Sequence, residues 1–399
     1  MRILHTADWH LGKKTDDLDR LEEQKQVLEQ VIKIAKEKAV DMVLIAGDIY
    51  DTFVPSADAE SLFYRTASEL SNNGNTAVIA IAGNHDEPKR MSNASLFSSK
   101  FNIYLVGYPD DIKIAKNANN AKNIYPTASG NGYIKFKTKA GEEAVVACLP
   151  YPTCARFNDT LKEGETYEQK IREWLAPAVK EFKPNTINIL MSHLLTYGSN
   201  LSYEGLEEYM RISSNLSFVD KSVLNVGADY VALGHIHKLT KLDKDHYMYY
   251  SGSILNNHFQ DESGDRYVLI VDVDCNGVKN VEPIELETKK LVVFTSDSLD
   301  EIEKFCDVCK NDYVKATLKQ AGCVSFEKLK ELRQKHPNLI TLSVLNEELM
   351  HEGEIESKKD LTTGEVFDKF VLSTTGKAAK PEVKELFLEL MGEDVYETN

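Results

Sequence analysis

Five apolar runs, each closed by a short polar motif, constrain this chain more than any other feature it has. Ile3-Leu4 leads to Asp8-x-His10, and Val43-Leu44-Ile45-Ala46 leads to Gly47-Asp48-x-x-Asp51. Ala77-Val78-Ile79-Ala80-Ile81 precedes Gly83-Asn84-His85-Asp86, and Ile187-Asn188-Ile189-Leu190-Met191 precedes Ser192-His193. The last run, Tyr230-Val231-Ala232-Leu233, ends in Gly234-His235-x-His237. Continuous runs rich in β-branched residues are strands buried on both faces, and helical patterns between them predict an α/β fold. Open α/β sheets collect ligands beyond their strand ends. The donors at those ends are carboxylates, an amide and imidazoles, which is what a pair of divalent cations needs.

The 399 residues are enough for two or three domains. Residues 1–274 alternate strand and helix patterns and form the expected catalytic domain. Its first helix, Leu18 to Lys38, places Leu21, Leu28, Val31, Ile32 and Ala35 on one face. A helix near 58–71, a β-rich stretch over 102–150, a helix near 167–182 and a closing strand at 266–273 follow. Residues 275–345 read as a small α+β capping domain: strand 291–294, helix 298–309, strand 313–318, helix 325–335, strand 339–345. The remainder, 346–399, is a polar linker ending in an amphipathic helix. In that helix, Pro381 to Met391, Val383, Leu386, Phe387, Leu390 and Met391 share a face suited to folding back or to docking on a partner. The Gly-Lys pairs at 12–13 and 376–377 lack the flanking residues of a phosphate-binding loop, so no ATP site is expected.

A net charge of −16 argues against a simple nucleic-acid binder. The excess is uneven, since residues 347–399 alone carry 14 acidic against 6 basic side chains. Lys13-Lys14 and Lys89-Arg90, just past two motifs, are placed to touch a phosphate backbone or to serve as solvated surface. Six cysteines (148, 154, 275, 306, 309 and 323) form no dense framework and read as free thiols. Cys306-x-x-Cys309 falls within a helix with no second pair, so it reads as packing rather than zinc. No run of about twenty apolar residues is present, and the N-terminus enters directly into strand and motif. A soluble, cytoplasmic protein without signal peptide or membrane attachment is the expectation.

Phosphate-ester hydrolysis must make water nucleophilic and neutralise charge building on phosphoryl oxygens, and two adjacent cations do both. Holding them close needs a bridging carboxylate, for which Asp48 is the natural choice. Mixed oxygen and imidazole donors suit Mn or Fe, with Mg or Zn possible. A structural zinc site would use thiolates and close its sphere. His85, beside Asn84, is well placed as proton donor or electrostatic partner.

The motifs, in this order, resemble the calcineurin-like metallophosphoesterase superfamily. Thr6-Ala7-Asp8-Trp9-His10-Leu11-Gly12, Ala46-Gly47-Asp48-Ile49-Tyr50-Asp51, Gly83-Asn84-His85-Asp86-x-Pro88-x-Arg90 and Tyr230 to Lys238 are similar, within it, to the nuclease-subunit family of bacterial SbcC–SbcD repair complexes. Glu23-Gln24 and Tyr250-Ser251-Gly252-Ser253 also fit, and the motif-level likeness covers residues 1–255. The resemblance implies a layered β-sandwich flanked by helices. It implies that Asp8, His10 and His237 hold one metal, that Asn84, His193 and His235 hold a second, and that Asp48 bridges them. His85 would contact the phosphate. Asp51 and Asp86 would orient ligands or shape loops. At 254–259, Ile-Leu-Asn-Asn-His-Phe replaces the family's proline-containing loop, near the expected cleft.

The implied function is a Mn-dependent DNA nuclease, a 3′–5′ exonuclease on duplex ends and an endonuclease on single strands and hairpins. It would work with an SbcC-like ABC-type ATPase, as a homodimer within a heterotetramer, the terminal helix docking on the ATPase. The alternative is a phosphatase or cyclic-nucleotide phosphodiesterase with the same metals. A scaffold that had lost catalysis would have lost ligands, and every ligand position here is filled. His5, His246 and His258 read as structural, and Trp9 as packing.

Overall fold

The computed structural model describes residues 1–16, 18–114, 122–197, 219–257, 259, 264–319, 326–345, 364–365, 367–368, 371 and 380–390. It divides into two compact units. One comprises Met1–Val292 with Asn311–Tyr313, and the other Val293–Lys310 with Val314 onward.

The first unit is built on two sheets. In the six-stranded sheet the order is Gly277–Leu286, Arg266–Asp274, Arg2–Thr6, Met42–Ile45, Ala77–Ile81, Ile103–Val106. The last four run parallel, and the first two add antiparallel. In the seven-stranded sheet the order is Thr240–Lys241, Met248–Tyr250, Tyr230–Gly234, Ile187–His193, Glu143–Leu149, Tyr133–Thr138, Ile124–Gly130. The Ile187–His193 strand is parallel to both its neighbours.

Strand side chains alternate between faces, so a continuous apolar run serves two cores at once. Ile3, Leu44, Ile79, Ile189, Met191 and Ala232 meet between the sheets. The alternating set Leu4, Val43, Ile45, Val78 and Ala80 faces outward, under Val27, Leu28 and Val31 of the Leu21–Glu37 helix and Leu62 and Phe63 of the Ala57–Leu70 helix. On the opposite side Leu190, Val231 and Leu233 pack against Ile171 and Leu175 of the Tyr167–Val179 helix. The result is the layered sandwich flanked by helices that the family resemblance implies. The Gly277–Leu286 strand is not among the expected elements. It carries Pro283, pairs on one side only, and is joined to its neighbour across a bulge near Asp272, all marks of an edge strand.

The second unit holds a three-stranded sheet ordered Leu291–Ser296, Tyr313–Lys319, Leu339–Leu345, the first two strands starting in the first unit. Helices Leu299–Val308 and Phe326–Lys335 connect them. Its terminal helix, Pro381–Leu390, stacks Phe387 on Phe367 with ring centroids 4.1 Å apart. Met391, Cys323, His258, the Gly-Lys pair at 376–377 and the expected linker up to 363 lie outside the described residues. Among the described residues no helix is long and apolar enough to cross a membrane.

Candidate metal centre

Parallel pairing brings the first three motifs to one edge: Thr6 lies opposite Ile45, and Ile45 opposite Ala80. In the other sheet His193 lies opposite Gly234, so the two histidine motifs also leave side by side. Beyond the strand ends the backbone turns sharply. Asp8, His10, Asp48 and His235 take φ values of 53°, 45°, 48° and 99°, a left-handed region that costs a residue with a side chain about 1–3 kcal/mol. Cross-loop bonds hold the turns: Asp8 N–H to the Gly47 carbonyl at 3.0 Å, and His10 N–H to that of Asp48 at 3.0 Å. Gln24, on the first helix, donates to the His10 carbonyl at 2.7 Å and accepts from Gly12 N–H at 3.0 Å. Two motif glycines are required by space. A Cβ on Gly47 would strike the His193 ring, and one on Gly83 would strike the Asp48 backbone and carboxylate.

The seven expected ligands come together in two groups. In one, Asn84 Oδ1 lies 3.0 Å from His193 Nε2 and 2.8 Å from His235 Nδ1, and Asp48 Oδ2 is 3.3 Å from His193 Nε2. In the other, donor atoms of Asp8, His10 and His237 lie within 4.8 Å of one another, His10 Nε2 and His237 Nε2 being 3.1 Å apart. Asp48 Oδ2, 3.7 Å from His10 Nε2, reaches both groups. The Asp8 carboxylate also accepts from His235 N–H at 3.0 Å, tying the groups together.

The chemistry of this set fits a cation. His193 Nδ1 is 2.8 Å from the Ala46 carbonyl, which only accepts, so that nitrogen carries the proton. In the neutral ring, Nε2 then aims a lone pair at Asn84 Oδ1 and the Asp48 carboxylate, both acceptors as well. Lone pairs that converge without a proton between them call for a positive charge. The electrostatics agree. Against burial, which lowers it, the Asp48 and Asp8 carboxylates lift His193 to about 9. Burial and then the charge of His193 hold His235 down at about 3, and burial and then His10 hold His237 well below the ordinary range. Burial raises Asp8 well above it. Burial also pushes Asp48 up, but His193, His10 and His85 outweigh it and keep that carboxyl well below the usual range. The carboxylates thus draw positive charge to the His193 side of the site, while His235 and His237 are held as the neutral imidazoles, and Asp48 as the ionised carboxylate, that metal ligands require.

The remaining motif residues have visible work. His85 Nδ1 donates to the Asp51 carbonyl at 2.7 Å, and its backbone N–H donates to Asp48 Oδ1 at 2.8 Å. Asp51 Oδ1 accepts from Lys13 Nζ at 2.9 Å and lies 3.3 Å from His10 Nδ1, within ion-pair reach though off hydrogen-bond geometry. The fully buried Asp86 carboxylate accepts backbone N–H bonds from Gly83, Ile49 and Tyr50, at 2.8, 3.1 and 3.0 Å. It binds the second and third motif loops to each other.

Of the basic residues beside the motifs, Lys13 is engaged by Asp51 and Arg90 by Glu60 at 2.8 Å, while Lys14 and Lys89 are exposed. The 254–257 segment is buried rather than lining a cleft. Ile254 and Leu255 enter the core under the first helices, and the Asn256 carbonyl accepts from Arg20 at 2.5 Å. His5 is buried against the Tyr230 hydroxyl and the Leu233 carbonyl, His246 pairs with Asp243, and Trp9 is packed edge-on to Phe63.

Two residues that sequence reasoning passed over reach into this site. Tyr151 stacks on His235 with centroids 6.0 Å apart, and Arg156 donates to three carbonyls of the Gly83–Asp86 loop. Their only sequence signal is a position just past the end of the Glu143–Leu149 strand, which itself pairs with the strand bearing His193.

A family model for calcineurin-like phosphoesterases matches residues 1–239. The SbcD component of the SbcCD nuclease of Bacillus subtilis is 32% identical over 98% of this chain and 97% of its own. The protein of the same name from Staphylococcus epidermidis is 29% identical over 92% of this chain and 93% of its own. The geometry at the strand ends and these matches lead to one conclusion: the chain belongs to the calcineurin-like phosphoesterases and, within them, to the SbcD family of nuclease subunits.

Proposed function

We propose that the chain is the nuclease subunit of an SbcCD-type complex, a metal-dependent phosphodiesterase that acts on DNA. The observation that carries the chemistry is the gathering of side-chain oxygen and nitrogen atoms from Asp48, Asn84, His193 and His235, with Asp8, His10 and His237 grouped alongside. Asp8, His10 and His237 would hold one divalent cation, Asn84, His193 and His235 a second, and Asp48 both. Bound there, such a pair supplies an activated water and a clamp on the phosphoryl oxygens. Manganese suits the donor set.

The protein's own residues do the rest. His193 is held in one tautomer by the Ala46 carbonyl, so its Nε2 is fixed toward the shared position. His85 has Nδ1 committed to the Asp51 carbonyl, which leaves Nε2 for a substrate oxygen. Carrying a second proton on that nitrogen, it would stabilise charge on the phosphoryl group or deliver that proton to the leaving oxygen. The likeness to components of a two-part nuclease supports DNA cleavage in company with a second kind of chain. On this reading an SbcC-like ATPase supplies the ATP cycle, the Pro381–Leu390 helix docks on it, and two copies of each chain assemble. Exonuclease action on duplex ends and endonuclease action on hairpins are the expected modes.

The test is digestion of an end-labelled duplex and a hairpin with Mn, with and without the ATPase and ATP. Cleavage that falls by about two to four orders of magnitude in His85→Ala, with metal content intact, is the expected result. Inertness toward every DNA alongside turnover of a small phosphodiester would overturn the nuclease reading and favour a small-molecule phosphodiesterase.

A further inference from the structure

The two metal-binding groups draw on both sheets. Asp8, His10, Asp48 and Asn84 follow strands of the six-stranded sheet, whereas His193 ends a strand of the seven-stranded one and His235 and His237 follow another. The geometry of the second group, Asn84 with His193 and His235, therefore depends on the register of loops from opposite layers. Something must fix that register.

Arg156 is built for it. The segment after the Glu143–Leu149 strand crosses from the seven-stranded sheet, and Tyr151 N–H bonds the Ala82 carbonyl at 2.9 Å, one residue before Gly83. Arg156 then places Nη1 2.6 Å from the Gly83 carbonyl, and Nη2 2.7 Å from that of Asn84 and 3.0 Å from that of Asp86. Three acceptors from one loop fill one end of the guanidinium fork. Its Cζ lies over the Tyr151 ring, 5.2 Å from the centroid, and over that of Phe53 at 5.7 Å. The Tyr151 ring in turn stacks on His235 at 27° and meets His193 edge-on at 6.1 Å. One residue chain thus runs from the backbone of Asn84, through Arg156 and Tyr151, to both imidazoles of the same group. None of these contacts reaches Asp8, His10 or His237.

We propose that Arg156, braced by Tyr151, is a positioning residue for one of the two cations, setting the Asn84–His193–His235 group while leaving the Asp8–His10–His237 group to Gln24 and Asp51. The inference rests on the ligand assignment above. A lysine cannot replace it, because an ammonium on a flexible stem has no fork to span three carbonyls. Residues that orient metal ligands in this way are worth about 10–100-fold in metal affinity.

The experiment is Mn2+ titration of the full-length metal-free protein by calorimetry, with electron paramagnetic resonance of the loaded forms. The expected wild-type result is two Mn2+ per chain and the spectrum of a magnetically coupled pair. In Arg156→Lys and Arg156→Met, one Mn2+ should bind as before, and the other about 10–100-fold more weakly, so that with one to two equivalents the spectrum becomes that of an isolated ion. Tyr151→Leu keeps the carbonyl bonds and should weaken the same ion by a smaller factor, so it serves if the Arg156 variants do not fold. Two ions bound with wild-type affinity and coupling in all three variants would overturn the proposal, as would equal weakening of both ions. Wild-type protein that binds fewer than two Mn2+ would instead overturn the ligand assignment, independently of Arg156.

Discussion

Replacing Asp86 by Asn changes one atom and should loosen two loops. The native carboxylate accepts from Gly83 and Ile49 through Oδ2 and from Tyr50 through Oδ1. An asparagine can put its oxygen where Oδ2 was and keep the first two bonds, but its amide nitrogen then points at the Tyr50 N–H, donor against donor. Charge-assisted bonds contribute roughly 1.5–3 kcal/mol and neutral ones about 0.5–1.5, so the two retained bonds lose about 2 kcal/mol together. A buried orphan donor costs about 1–3 kcal/mol more. Removing the negative charge relieves repulsion from Asp48, which acts with burial to raise the Asp86 pKa, and offsets on the order of 1 kcal/mol. The net cost is about 2–4 kcal/mol, a large share of a typical 5–15 kcal/mol stability. Urea unfolding of metal-free protein measures it. Both tryptophans, Trp9 and Trp174, belong to the first unit, so their fluorescence reports on it alone. With a slope of about 3 kcal/mol per molar urea the midpoint should fall by roughly 1 M. A variant within about 0.5 kcal/mol of wild type would refute the view that this carboxylate holds the two loops together.

Asp48→Ala should abolish turnover and weaken binding of both cations; DNA cleavage by that variant with Mn, measured on end-labelled duplex, would refute the bridging assignment. The buried pair of Arg20 with Glu23, joined at 2.9 and 3.1 Å, should show strong coupling in a double-mutant cycle. Arg20→Met leaves a buried carboxylate unpaired and should cost about 3–5 kcal/mol, whereas Arg20→Met with Glu23→Met should cost far less, and additive urea-unfolding energies would contradict this. Deleting residues 381–391 should spare hydrolysis of a small phosphodiester and prevent co-purification with an SbcC-like ATPase; unchanged co-purification would rule out docking through that helix.

What the sequence displays is whatever repeats locally. Five buried strands and their terminal motifs are readable because doubly buried strands produce unbroken apolar runs, and the donors follow them directly. The βαβαβ order of the second unit is readable for the same reason, each element carrying its own period. The Gly277–Leu286 strand is not. Solvent on one edge lets Lys279, Asn280, Glu282 and Pro283 interrupt its alternation, so it resembles a connector after Asp274. The 254–257 segment reads as part of a cleft because it stands where the family's proline-containing loop would, whereas inside the protein Arg20 and Arg266 donate to the Asn256 carbonyl and Oδ1. Arg156 gives no warning at all. Its partners are backbone carbonyls some seventy residues away, and a carbonyl has no letter in the sequence.

The left-handed backbone at Asp8, His10, Asp48 and His235 concentrates discomfort at the centre, whereas elsewhere among the described residues that conformation falls on Asp16, Ala39 and five asparagines. Glycine would sit there without strain and asparagine with less. A laboratory lineage selected only for surviving heat, with no demand for turnover, should therefore shed its chemistry first at these four positions, trading donors for comfort. Their persistence in a working lineage would then be a record of selection on the reaction rather than on the fold.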